Sequence, residues 1–364
     1  PTVTATRNAG TGTLLGTTSI AAGGGLATFS DLKHNVAGTI NIRFTSSVLI
    51  PDTSNSIVVS PAAAARLLFV SQPGNAVAGT VIAPPETVQV QDAFGNNVQI
   101  AGLSIAASLH SGTGVISGTT ARTTSALGIA IFNDLRINLS GPKVMKANSA
   151  GLDSAVSASF TITAAAARKL TVQTQPSPTA IAGVVFAPQP TVAVEDTFGN
   201  RVTTDNATIV SATRNTGSGI LQGTTNIPVA SGLATFGNLR HDIVGLMNIK
   251  FKSTPVFDST ISSNINVSPA SASKLVFVQQ PTTTVSRRSI SPPVTVQVQD
   301  AFSNNVDITL SVVMTKSSGT GTLSGSPSQT TIATGLATFG NLSVDSVGSK
   351  VLTASGTGLT SGVS

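Results

Sequence analysis

A chain of 364 residues exceeds one ordinary domain, and its length alone predicts two to four. Its 40% hydrophobic content supports packed cores, whereas only 9% of residues are charged, against roughly 25% in a typical soluble domain. This balance excludes a disordered chain, and the complete absence of Cys excludes a disulfide framework and every thiolate metal site.

The net charge of +6 comes from 20 Lys and Arg against 14 Asp and Glu, spread along the whole chain. The densest basic pair, Arg287-Arg288, has no aromatic residue beside it, so nucleic acid is not expected as a partner. No apolar run reaches the roughly 20 residues that span a bilayer, so no membrane span is expected in this segment. Thr, Ser, Ala, Val and Gly stand where a helical protein carries Glu, Lys and Leu, and such residues suit pleated strands and turns.

In chain order, a motif ending in Phe comes first and then recurs: Leu26-Ala-Thr-Phe29, Ile129-Ala-Ile-Phe132, Leu233-Ala-Thr-Phe236 and Leu336-Ala-Thr-Phe339. An apolar run ending in Gln-Pro follows at Leu67–Pro73, Leu170–Pro176 and Leu275–Pro281. A third motif appears at Val90–Asn96, Val194–Asn200 and Val298–Asn304, with its Asp residues at 92, 196 and 300. All three share a spacing of 103 to 105 residues, which marks an internal repeat.

Ala-, Ser- and Pro-rich joints near residues 62, 165 and 270 separate the repeats. Residues 1–62 read as the C-terminal part of a repeat, since Thr4–Asn8 aligns with Ser211–Asn215. Residues 63–165 and 166–270 read as complete repeats, and 271–364 as a repeat lacking its last strand. Both ends are therefore expected to fall inside a domain of a longer polypeptide. The brief joints, without Gly runs, predict neighbours that abut.

Within each repeat the alternation of apolar and polar residues predicts half-buried antiparallel strands. Val88 and Val90 alternate with Gln89 and Gln91, and Val296 and Val298 with Gln297 and Gln299. Ile40, Ile42 and Phe44 oppose Asn41 and Arg43, while Met247, Ile249 and Phe251 oppose Asn248, Lys250 and Lys252. The closing strands are expected to turn Phe160 and Ile162, or Ile265 and Val267, inward. With Gly- and Asn-rich turns between them, about seven strands per repeat predict an all-β fold. The expected architecture is tandem immunoglobulin-like antiparallel β-sandwiches arranged end to end.

The stretch Val88–Val98, of the form Val-x-Val-x-Asp-x-x-Gly-Asn-x-Val, and the following Gly128–Phe132 strand resemble the bacterial immunoglobulin-like repeats of invasin- and intimin-type surface proteins. That resemblance implies a stalk, spacer or fibre at the cell surface and names no ligand. Ser303 departs from the pattern by standing where it has Gly, so Asn304 or Asn305 is expected to take the left-handed position.

Asp92, Asp196 and Asp300 suit an Asx turn better than a calcium site, which needs six to eight oxygens and usually several carboxylates. Of the three histidines, His34, His110 and His241, the equivalent copies His34 and His241 have no partner His nearby in sequence and read as exposed loop residues. The Gly10-Thr-Gly12 and Ser111–Gly114 segments lack the Lys-Ser/Thr and helix of a phosphate loop and read as turns. No catalytic, cofactor-binding or metal residue is expected, and no cofactor. Sequons stand at Asn138, Asn206, Asn266 and Asn341.

The expected function is a non-enzymatic structural segment of a long extracellular repeat protein, a stalk or filament at the bacterial cell surface. Its expected partners are neighbouring repeats or other copies of itself. The alternative is an adhesin module whose loops contact a receptor, a surface glycan or another copy of itself, with Arg287-Arg288 the most distinctive candidate patch.

Overall fold

The strand Glu86–Asp92 shows how the repeat is built. It pairs antiparallel with Ala64–Ser71 on one side and Ile129–Phe132 on the other, giving a three-stranded sheet. Val88 and Val90 turn inward and are fully buried. In the computed structural model, which describes residues 1–364, no helix occurs and every such element is a strand.

Two compact units are present: Pro1–Ala165 with Phe198–Asn200, and Ala166–Thr197 with Arg201–Ser364. The first unit holds two cores. The larger, from Leu67 to Ile162, lies between the three-stranded sheet and a six-stranded one. The second sheet runs Ala121–Thr123, Ser104–Ser111, Gly141–Asn148, Phe160–Thr163 and Ala76–Val77, with Ala155–Val156 also on Gly141–Asn148. All its pairings are antiparallel except that of Phe160–Thr163 with Ala76–Val77. The chain therefore leaves one sheet at Ser71 and joins the other at Ala76, and such a switch between packed sheets is a feature of immunoglobulin-like sandwiches.

The smaller core of the first unit contains Ala5, Leu14 and Ile42, with Phe29, Leu32 and Phe44 packed against it. Its sheet orders Ser19–Ala21, Thr2–Ala9, Gly38–Ser46 and Leu49–Thr53, with Ile57–Val59 paired to Gly38–Ser46. Leu26 is 70% exposed and lies outside any strand, unlike its counterparts Ile129, Leu233 and Leu336.

The second unit repeats the plan twice. Leu170 to Val267 form one core and Leu275 to Ala354 another. In each, the Val-rich strand (Thr191–Glu195 or Val294–Gln299) is the centre of a three-stranded sheet. Phe236 and Phe251 meet in the first of these cores with ring centroids 5.5 Å apart, in a tilted geometry favourable for aromatic pairs.

Two expectations about the strands need correction. Gln89 and Gln297 are not on a wet face; both are buried, at 3% and 5% exposure. The hairpin beyond Asp92 folds back so that Val98 N–H reaches the Val90 carbonyl, and the Leu127-Gly128 turn closes over the strand. Gln89 Nε2 then donates to the Val90, Leu127 and Gly128 carbonyls at 3.0–3.2 Å, which satisfies the buried amide. Gly128 is required there, because a Cβ would lie 1.9 Å from the Val98 carbonyl oxygen. The strand count also exceeds seven, since short two-residue pairs such as Ile116–Ser117 with Arg136–Ile137 supplement the main sheets.

Candidate functional site

The recurring Asp is a knot of hydrogen bonds. Asp92 is fully buried; its Oδ1 accepts the Phe94 and Asn96 backbone N–H groups at 2.9 and 2.8 Å. Its Oδ2 accepts the Ala62 N–H and Asn96 Nδ2 at 2.9 and 2.7 Å. Asp300 repeats the arrangement with Phe302, Asn304 and Ala270. This is the Asx turn the motif predicted, extended to the joint residue that precedes the repeat. Asp196 occupies the same position and is equally buried.

Four N–H donors around each carboxylate leave it electrostatically suited to negative charge. Burial raises the pKa of Asp92 and Asp300, but the bonds from Asn96 and Ala62, or from Asn304 and Ala270, outweigh it and hold both below the usual carboxylate value. No group of three or more His, Asp and Glu side chains converges into a cation site.

The Asn of the motif does what local sequence does not announce. Asn96 Oδ1 accepts the Ala37 N–H at 2.8 Å and its Nδ2 donates to the Asn35 carbonyl at 2.8 Å, reaching the first core from the second. In the other unit, Asn304 accepts from Val244 N–H at 3.1 Å and donates to the Asp242 carbonyl at 2.8 Å. One amide thus closes its own turn and clasps the end of the preceding sandwich. Beside the second clasp, the Phe302 ring lies against Gly183, where an added Cβ would sit 2.1 Å from the ring. Gly183 also takes φ +78, so the position favours glycine twice over.

Ser303 itself, and neither Asn304 nor Asn305, occupies the left-handed position, with φ +72 beside +90 for Gly95 and +87 for Gly199. The turn geometry holds the backbone, and the residue found there accepts it. Lys274 Nζ donates to the Ser303 hydroxyl at 2.8 Å.

The histidines differ from the expectation of exposed loops. His241 is 2% exposed, with Nε2 2.8 Å from the Ser218 carbonyl oxygen. His34 is half-buried in the short strand Lys33–His34, and its Nδ1 lies 3.0 Å from the Val36 carbonyl oxygen. His110 is exposed but belongs to the strand Ser104–Ser111, at its bulge. No two of them are brought together, since each serves a different core.

The Gly-Thr-Gly and Gly-Ser-Gly turns present carbonyls rather than N–H groups: the Arg7 guanidinium bonds the Gly10 and Gly12 carbonyls, and Arg214 those of Gly217 and Gly219. These carbonyls take up guanidinium donors that a phosphate would otherwise use. Arg287 and Arg288 are exposed, and Arg287 takes φ +61. Two buried ionisable residues gave no signal in the sequence. Burial pushes the Lys143 ammonium down, and the Glu86 carboxyl is pushed up to about 7.

The chain is thus a tandem series of immunoglobulin-like β-sandwiches whose most elaborate polar site is a clasp between successive cores. No family model and no curated protein matches it. Solved structures similar to it include the Escherichia coli adhesin FdeC, at 18% identity and a TM-score of 0.36, covering 82% of this chain and 94% of that one. The Yersinia pseudotuberculosis adhesin InvE is similar at 16% identity and a TM-score of 0.25, covering 55% and 58%. A C-terminal fragment of intimin, solved in complex with the intimin-binding domain of its translocated receptor, is similar at 11% identity and a TM-score of 0.21, covering 63% and 69%. At these values the likenesses carry no argument about ligands, and the fold stands on the strand pairing described above.

Proposed function

We propose that these residues are a non-enzymatic structural segment of a bacterial cell-surface repeat protein, with repeats at 1–62, 63–165, 166–270 and 271–364. The observation that carries this reading is the clasp. Asn96 and Asn304 each spend a side-chain amide on the preceding core, within a turn held together by a buried carboxylate. A buried carboxylate of this kind elsewhere serves catalysis; here every lone-pair direction is committed to the turn. Such a device orients one sandwich on the next, which is what a stalk needs and a free-swinging binding domain does not.

Scattering and negative-stain imaging test the reading. Extended particles that become bent or articulated in the Asn96→Ala/Asn304→Ala variant support it. Compact globules in both proteins would overturn it.

A second reading, an adhesin module, is favoured by one observation. Arg287 holds the left-handed position that Gly79 and Gly183 hold in the repeats 63–165 and 166–270, and it projects charge there. Adhesion to cells or glycan arrays that falls when Arg287 and Arg288 are replaced by Ser would support this role; unchanged adhesion would dismiss it.

A further inference from the structure

One loop recurs in the second, third and fourth cores, those of Leu67, Leu170 and Leu275. Its first residue, Gly79, Gly183 or Arg287, donates a backbone bond to the Ile137, His241 or Val344 carbonyl. Three residues on, Ile82, Phe186 and Ile290 donate to the Leu135, Leu239 and Leu342 carbonyls. The loops therefore match residue for residue, and the first residue is left-handed in each, at φ +77, +78 and +61. Two of these positions are glycine, and the third carries a long side chain.

The glycines leave room for a ring. Phe302 lies against Gly183 so closely that an added Cβ would sit 2.1 Å from Cζ and 2.3 Å from Cε2. Phe198 lies on Gly79 in the same way, at 2.4 and 2.7 Å, with both residues in the first unit. In close-packed protein no Cβ fits at such distances, so each ring fills the space of the missing side chain. The left-handed backbone alone does not impose glycine, because Arg287 adopts it.

The ring is anchored from behind. Phe302 N–H donates to Asp300 Oδ1 at 2.9 Å, and the same carboxylate holds Asn304. Asn304 clasps the Asp242 carbonyl and the Val244 N–H, while Gly183 is bonded to the neighbouring His241 carbonyl. Ring and clasp thus leave one turn of the fourth core and land side by side on the third.

We infer that this left-handed position is the specificity-determining residue of the junction: glycine admits the aromatic ring of the next repeat, and arginine closes the seat to it. The surface fits a repeat that presents Phe two residues after its buried Asp. With a Cβ already in the seat, the fourth core rejects such a ring in the place where the third accepts it, a discrimination made by a clash rather than by a new attraction. The inference rests on the reading that the motif turn orients one sandwich on the next.

The test uses the 364-residue protein and two amides. Val244 N–H is the reporter, since it crosses the junction to Asn304 Oδ1; Phe186 N–H is the control, since it stays within the third core. Phe302→Ala empties the seat and is expected to speed hydrogen exchange at Val244 by at least about tenfold, with Phe186 unchanged. Gly183→Arg copies Arg287 and is expected to do the same, and to add nothing once Phe302→Ala is present. Gly183→Ala repeats the cycle with the smallest side chain that has a Cβ, so the outcome does not depend on arginine folding well there. Unchanged exchange at Val244 in Phe302→Ala or Gly183→Ala would overturn the inference. Equal effects of the Gly183 variants with and without the Phe302 ring would also overturn it, because the cause would then be the backbone. Extended particles with a silent cycle would sink the seat alone, and compact particles with the expected cycle would sink the stalk reading alone.

Discussion

Asn304 is joined to Asp300 twice: its backbone N–H reaches Oδ1 and its side-chain Nδ2 reaches Oδ2, each at 2.8 Å. The same side chain holds the Asp242 carbonyl and the Val244 N–H of the preceding core. Asn304→Ala removes every side-chain bond and leaves the Val244 amide without its acceptor. A net loss of about 1–3 kcal/mol is expected for unpairing buried groups of this kind. Because the loss falls at a junction, calorimetry should show the third and fourth cores separating into two transitions, with the sandwich spectrum retained. A single unshifted transition would show that the clasp does not couple them.

The carboxylates set an acid limit. Asp92 and Asp300 are raised by burial but lowered further by their hydrogen bonds, so their folded pKa values lie below the ordinary 3.8. A depressed folded pKa means that the unfolded chain binds more protons, so stability is present above pH 3.8 and falls as pH drops below it. Urea midpoints at pH 5, 3 and 2 should decline accordingly. Asp300→Asn should flatten the acid limb while lowering stability at pH 5 by about 2 kcal/mol, since an amide group then faces N–H donors.

Much of this architecture is legible in the residues because repetition and alternation are one-dimensional signals. Val88 and Val90, or Phe160 and Ile162, point inward where the alternation says they do. What lies outside the sequence pattern depends on segments far apart in the chain. Gln89 reads as a wet position until Leu127-Gly128 is folded across it, and Asn304 reads as a turn residue until Asp242 is brought beside it. His241 is buried by the same convergence, near Ser218. The Asx turn was legible because its donors are within four residues; the clasp was not, although the recurrence of its Asn at the repeat period is the signal that marked it.

Ser303 carries a local conformational cost. At φ +72 the Cβ of an L-residue crowds the following backbone carbonyl oxygen, an effect of roughly 1–2 kcal/mol that Gly95 and Gly199 escape. Ser303→Gly should therefore stabilise the fourth core by about 1 kcal/mol, after the added backbone freedom of Gly in the unfolded chain and the lost Lys274 bond are set against the relief. A rise of a few degrees in the melting transition checks it. A fall would mean that the Lys274–Ser303 bond outweighs the strain.

Glu86 works with the opposite sign to the aspartates. It is fully buried, opposite Phe132 in the sheet, and neither carboxylate oxygen has a hydrogen-bond partner. Burial lifts its pKa from 4.5 to about 7, with its own backbone N–H pulling the other way. A raised folded pKa means that the folded chain holds the proton more tightly, so the contribution is complete below pH 4.5 and is lost as pH rises through about 7. The corresponding positions are Pro190 and Val294, which do not titrate. Glu86→Gln should remove the slope of stability between these pH values while keeping the side-chain shape. Glu86→Val, copying Val294, should also raise stability at pH 8 by about 1–3 kcal/mol, because no ionised group then stays buried without a partner. Guanidinium midpoints of the three proteins at pH 5 and pH 8 decide the matter. A wild-type protein as stable at pH 8 as at pH 5, with variants that match it, would show that the Glu86 carboxylate finds solvent or a partner on ionising.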